Sequence, residues 1–332
     1  MAKLPNMKPL FPGTLPPPPG VTPNIHFSQS KWNILTQVLC ITITTIFILL
    51  RFVTKYVASL PLCADDWVSL GAWALSTIYS SLCLALGPLG IGIHAWNISP
   101  TKFQRFNKVG YVIEVLNGPA IFTTKLAILL LLIRIFRIKK RFVLFVSVFS
   151  AVLGLYYIAT TLVVTFICNP VPKFWDQKRP GKCLNTNVIF ICNCVVSLVT
   201  DVMILVLPLP VIWSLNMTLK QKIGSSFALA VGAVACVMGV LRLEVSVRTM
   251  DDYDKSYVFE PILLYSSGEI AIGIICGCIP VLPALHRYFK KGNKSSSYPS
   301  YGSGMPVSQR ECRTMIPLER IPSTESTQQI KV

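Results

Sequence analysis

Six ionisable side chains, Glu114, Lys125, Asp201, Arg242, Glu244 and Glu269, stand inside apolar stretches long enough to cross a bilayer. A charge near the bilayer centre costs about 3 kcal/mol on insertion scales, so such residues turn toward the interior of a helix bundle and find partners there. Glu114 and Lys125 are eleven residues apart, a spacing that returns to nearly the same helix face about 16 Å further along. They share one interior stripe without touching. Arg242 and Glu244 are two apart and point to nearly opposite sides, so Glu244 is expected to pair with Arg248 one turn on. Lys125 and Arg242 are then the central cations, with Asp201 and Glu269 as candidate counter-ions. Two readings follow: a salt-bridge network that orders the helices, or a polar cavity for a ligand or a proton. The same residues can serve both.

These residues must be positioned by membrane helices. Seven segments reach spanning length, approximately Ile34 to Val53, Trp67 to Leu89, Tyr111 to Phe136, Phe142 to Ile167, Val188 to Trp213, Ile223 to Val247 and Val258 to Leu285. The chain of 332 residues is 52% hydrophobic and 14% charged, the composition of a polytopic membrane protein. Backbone in lipid must satisfy its own hydrogen bonds, and long apolar runs without alternation do so as helices rather than barrel strands. The expected fold is all-α, a polytopic seven-transmembrane helix bundle over residues 34–285. A Pro-rich segment, 1–33, is expected to be disordered, and the first helix to insert uncleaved. Residues 286–332, basic and then rich in Ser, Gly and Pro, are expected to form a disordered cytosolic tail.

The net charge of +17 invites a nucleic-acid partner, but its distribution argues against one. The charge sits in short segments beside apolar spans, where Lys and Arg meet anionic head groups of the bilayer and set orientation. The densest group, Arg134, Arg137, Lys139, Lys140 and Arg141, follows the third span. Placing it in the cytosol puts the N-terminus outside and the C-terminus inside, in a plasma or endomembrane. Lys102, Arg105 and Lys108 after the second span, and Lys173, Lys178, Arg179 and Lys182 after the fourth, pull the other way. Cys168 and Cys183 bracket the loop between spans four and five, which that orientation puts outside, where a disulfide persists. The alternative is two thiols at helix ends. The C-x-C pairs Cys192/Cys194 and Cys276/Cys278 lie on helices without a nearby His, so no metal site is expected.

Breakers mark where a bundle can bend or open: Gly118-Pro119 in span three, Pro208 and Pro210 in span five, Pro280 and Pro283 in span seven. Gly273 and Gly277 have the spacing of a close helix contact. Asp65 and Asp66, before Trp67, read as caps of a helix start with an interfacial aromatic. Arg134 reads as a positive-inside residue, His94 as a polar loop contact, and Asp251, Asp252 and Asp254 beside Lys255 as a solvated turn.

Taken in order, the motifs resemble the fungal rhodopsin-domain family over about residues 31–290. The series is Asp65-Asp66-Trp67, Gly90-Ile91-Gly92-Ile93-His94, Lys125 with Arg134-Ile135-Phe136, Cys168-Asn169-Pro170, Trp175, Cys183, Asp201 with Pro208-Leu209-Pro210, Arg242, Glu269 and Pro280. The resemblance implies a seven-helix fungal integral membrane protein. Members include receptor-like proteins of plant pathogens, proposed to be G-protein-coupled, and membrane proteins encoded within secondary-metabolite clusters such as that for satratoxin. Some receptor-like members carry a Cys-rich domain before helix one, whereas residues 1–33 hold no Cys, which disfavours a large surface ligand. Retinal is not expected as a cofactor, because Val258 to Leu285 contains no Lys for a Schiff base.

Two classes of function remain. One is a receptor-like or accessory membrane protein that binds a small apolar or amphipathic ligand and meets a cytosolic signalling partner, in association with secondary metabolism. The other is a membrane-embedded enzyme or transporter acting on an apolar natural product. The sequence shows no nucleophile–base pair, metal-ligand set or phosphate loop, which favours the first.

Overall fold

The computed structural model describes residues 30–57, 61–137, 139–176, 179–210, 219–249 and 254–281, with backbone alone for 30, 219–228 and 255. The terminal segments expected to be disordered, but for the start of the first helix, and the breaker Pro283 lie outside the described residues. The helices are α1 (Ser30–Val57), α2 (Ala64–Ala85), α3 (Pro100–Ile135), α4 (Lys140–Thr165), α5 (Thr186–Val206), α6 (Leu219–Arg248) and α7 (Lys255–Cys278). All seven are long and apolar enough to cross a membrane. A two-stranded antiparallel ribbon, β1 (Cys168–Asn169) with β2 (Lys182–Cys183), closes the α4–α5 loop, and the expected Cys168–Cys183 disulfide joins its strands.

Burial identifies the central helix. In the most apolar stretch of α7, 61% of residues are buried, against 22% in α4, α5 and α6. It packs against α1, α2, α3 and α6. The peripheral helices instead turn large apolar side chains outward, as Leu144, Val148, Val152 and Leu155 do along one face of α4, the surface a lipid-facing helix requires. Gly273 lets α7 approach α3 closely: a Cβ there would lie 2.5 Å from Thr124 Cγ2.

Three boundaries differ from the sequence expectation. Span three starts at Pro100 rather than near Tyr111, so Lys102, Arg105 and Lys108 ride on a helix rather than a loop. Proline suits a first helical position, and the buried Phe106 anchors the added turns edge-on against Phe259, with ring centroids 6.0 Å apart. Pro208 follows the end of α5 and Pro280 lies in a short 3-10 turn after α7, so both end their helices instead of bending them. Pro119 and an unanticipated Pro261 are interior to α3 and α7.

The α2–α3 connection depends on glycine. Gly90 has φ 109°, in the left-handed region, and a Cβ there would also sit 2.9 Å from Ile98 Cδ1.

Candidate functional site

The five expected interior charges divide into a connected chain of four and one that stands apart. Lys125 Nζ on α3 lies 2.9 Å from Asp201 Oδ1 on α5 and donates to Thr200 Oγ1 at 2.8 Å, Ser197 Oγ at 2.9 Å and the Ser197 carbonyl at 2.7 Å. Ser197 Oγ donates in turn to Glu269 Oε1 on α7 at 2.7 Å. Glu269 Oε2 lies 3.2 Å from Arg242 Nη1 on α6. That approach is an ion pair without hydrogen-bond geometry, and Glu269 Oε2 has no donor. Arg242, Glu269 and Lys125 are buried, so each charge depends on this pairing. Ser197 and Thr200 are the members that sequence reasoning missed; Ser197 lies four residues before Asp201 and three before Thr200 along α5, and that helical spacing was the signal.

Glu114, on the stripe of α3 shared with Lys125, joins no ion pair among the described residues. It faces a partly open cavity of about 690 Å³ lined by α3, α4, α5, α6 and α7 and by the α4–α5 loop, at the end of the bundle that carries the disulfide. Arg242 lines the same cavity, as do Asn117 and Tyr157. Arg242 Nε, Asn117 Oδ1 and Tyr157 Oη are buried there without a hydrogen-bond partner. A second, smaller cavity of about 110 Å³ lies toward the opposite end, against Lys125, Asp201 and Glu269. The ion-pair chain therefore separates two cavities and contributes side chains to both.

A second charge cluster occupies the end away from the disulfide, where Asp66 caps the start of α2 as expected and both Asp65 and Asp66 do more than cap. Asp66 Oδ2 does accept the Cys63 N–H at 2.8 Å, but both carboxylates are buried against cations. Arg51 on α1 pairs with Asp65 at 2.6 Å and Asp66 at 2.9 Å and donates to the Gly277 carbonyl of α7 at 2.6 Å. Lys55 also pairs with Asp66. Arg134 lies 3.3 Å from Asp65, so it is more than a residue that sets orientation. Arg51 and Lys55 escaped notice because they lie at the end of an apolar span, where a cation ordinarily reaches water. Trp67, beside the pair, projects outward.

Asp254 is likewise no solvated turn; Asp251 and Asp252 lie outside the described residues. Asp254 Oδ2 lies 2.5 Å from His94 Nδ1, and Oδ1 accepts the Ala95 N–H at 3.1 Å. The His94 ring stacks on Trp96 and Tyr257 at centroid distances of 4.3 and 4.5 Å. His94, Gly90 and Gly92 thus belong to a loop clamped onto the start of α7, beside the larger cavity. Glu244 pairs with Arg248 at 2.5 Å on the exposed face of α6, as its spacing predicts. Glu260, passed over in the sequence, is buried on α7 with Oε1 unpartnered. No group of three or more potential metal ligands occurs among the described residues.

A seven-helix membrane bundle with an internal ion-pair chain is the class this geometry defines. Residues 50–288 match the fungal rhodopsin domain, and the chain belongs to that family. It is 31% identical to a SAT4 family membrane protein of Emericella nidulans, over 64% of this chain and 54% of that protein. It is 25% identical to fugralins biosynthesis cluster protein 2 of Gibberella zeae, over 96% of this chain and 87% of that protein. It is 21% identical to receptor GIN3 of Arthrobotrys oligospora, over 82% and 66%. The chain thus spans about half the length of the first of these. No solved structure matches it.

Proposed function

We propose that this protein is a receptor-like or accessory membrane protein that binds a small apolar or amphipathic molecule inside its bundle. The carrying observation is the cavity of about 690 Å³ with Glu114 and Arg242 on its lining. Its size suits a small organic ligand, and its lining mixes aromatic and aliphatic side chains with many polar ones, as an amphipathic molecule requires. In this reading the N-terminus and the disulfide end face outward, and the exposed Arg137, Lys139, Lys140 and Arg141 meet the cytosolic leaflet and a cytosolic signalling partner. Retinal has no part in it: Lys125 is on α3 and held by Asp201, Ser197 and Thr200, while the only lysine of α7 is Lys255, its first residue. An association with secondary metabolism is supported by similarity to a protein named for a biosynthesis cluster.

The test is to purify the protein from a fungal host and identify small molecules in its organic extract by mass spectrometry. Ser246, on the cavity wall, would be replaced by Trp to fill the space. A molecule present with the unmodified chain and lost with Ser246→Trp is expected. Extracts that do not differ would refute the cavity as a binding site. Terminal tags in sealed vesicles, read by protease protection, check orientation.

A further inference from the structure

Resting on the cavity reading above, we propose that the ligand is an amphiphile with an anionic head, a carboxylate or a phosphate ester. A rim of lysine and arginine holds the head at the cavity mouth, and the elongated body lies inward along α3.

The cavity is long. Phe103, Asn107, Gly110, Glu114, Gly118 and Ile121 all line it, at the three- and four-residue spacing of one helix face. Phe103 and Ile121 are eighteen residues apart, so the space follows α3 for about 27 Å. Its outer stretch is bordered by the disulfide, Thr186 at the start of α5 and Ser256 near the start of α7, and its depth by Tyr157, Arg242 and Ser266. The two ends differ in charge. Three charged residues line the cavity: Lys173 in the outer stretch, Glu114 and Arg242 further in. Arg242 is buried with Glu269 at 3.2 Å, whereas Glu114 is partly exposed and joins no ion pair among the described residues. An anionic head that went deep would meet the Glu114 carboxylate, and like charges brought together in a poorly solvated site are strongly rejected.

The mouth carries the opposite surplus. Lys102, Arg105 and Lys108 are exposed on the outer face of the same turns of α3 whose inner face presents Phe103 and Phe106 to the cavity. The loop that bears Lys173 and Lys182 packs on those turns: Lys108 Nζ lies 6.0 Å from the centroid of the Trp175 ring, and the Tyr111 ring is 5.4 Å from Phe174. No ion pair among the described residues holds any of these five cations; Lys173 donates to the Gly181 carbonyl. The carboxylates described at this end, Asp176, Glu244 and Asp254, are taken by Arg179, Arg248 and His94, and Glu260 is buried away from the lining. With the disulfide end outward, this positive charge runs against the rule that places Lys and Arg in the cytosol, so setting orientation does not account for it. Cations of one sign around a cleft with low-dielectric walls concentrate and steer an anion to it.

The test photolabels full-length protein in phosphatidylcholine nanodiscs with a hydroxy fatty acid carrying a diazirine either beside the carboxylate or at the far end of the chain. Labelled residues are located by mass spectrometry. The first probe is expected to mark Phe103 and Lys173 and the second Gly118 and Ile121, with the methyl ester and the matched amine competing at least about tenfold more weakly than the acid. Lys102→Glu, Arg105→Glu and Lys108→Glu combined should slow binding of the acid about tenfold and reduce its salt dependence, and leave the ester unchanged. Reversal of Lys139, Lys140 and Arg141 at the opposite end should do neither. Phosphatidate added to the disc displaces the acid if the head belongs to a membrane lipid and fails to if it belongs to a free acid; either result keeps the anionic head. Competition by the ester or the amine equal to that of the acid, a far-end label at the mouth, or equal losses in the two triple reversals would overturn the anionic head and leave the cavity reading intact. No label on any lining residue, in protein that still unfolds cooperatively, would overturn both.

Discussion

Replacing Lys125 by Met should be among the most damaging single changes in the bundle. The ammonium is 2.9 Å from Asp201 Oδ1 and holds three further oxygens, from Ser197 and Thr200, within 2.9 Å. Methionine matches the length of the stem and none of these contacts. Asp201 Oδ2 already lacks a donor, so the substitution leaves a wholly unpaired carboxylate beside Glu269. Breaking a buried pair from one side costs about 3–5 kcal/mol, mostly from the charge left behind. With about 2–4 °C per kcal/mol for a domain of this size, the unfolding midpoint should fall by on the order of 10 °C. Asp201→Asn removes the other charge and should cost less in the Lys125→Met background than alone, giving a coupling of at least about 1 kcal/mol. The assay is thermal unfolding of detergent-solubilised protein at one scan rate, because unfolding of such proteins is often kinetically controlled. Additive losses in the double mutant, or a Lys125→Met midpoint within a degree or two of the unmodified protein, would refute the pairing argument.

Further outcomes follow from the other contacts. Arg51→Met should destabilise by about 3–5 kcal/mol, because it strands Asp65 and Asp66 in a buried site, whereas Arg134→Met, at the 3.3 Å and partly exposed edge of that cluster, should cost no more than about 1 kcal/mol; thermal unfolding of the two variants compares them. Cys168→Ser, opening a crosslink of sequence separation 15, should cost about 3 kcal/mol on a chain-entropy account, read as a lower midpoint of thermal unfolding under non-reducing conditions. Gly273→Val should force α7 from α3, since even a Cβ would lie 2.5 Å from Thr124 Cγ2, with a loss of at least about 1–3 kcal/mol from overpacking, seen as a lower yield of monodisperse protein. Asp254→Asn should leave the bundle intact but loosen the clamp on His94 and Ala95, read as faster amide exchange over residues 90–98.

Much of the architecture was legible along the chain. Spanning length and the absence of alternation specify helices in lipid without reference to what each touches, so the seven spans could be placed. The Glu244–Arg248 pair was visible for the same reason: four residues on a helix are neighbours whatever the rest of the fold does. The ordered motifs from Asp65 to Pro280 pointed to the family that residues 50–288 match.

Only the tertiary structure decided which charge meets which. Hydropathy is a property of each segment alone, but pairing depends on the rotation and depth of every helix relative to its neighbours. Lys125 and Asp201 are 76 positions apart, and nothing local says that Ser197 bridges Lys125 to Glu269. Arg51, at the end of the first span, drew no reading from the sequence; its role appears only where α7 brings the Gly277 carbonyl over it. Glu114 and Lys125 shared a stripe in the sequence; the packing of α4 to α7 leaves one facing the wide cavity and places the other in the ion-pair chain. Close packing of helices settles these positions, because each interface fixes rotations that no single segment encodes.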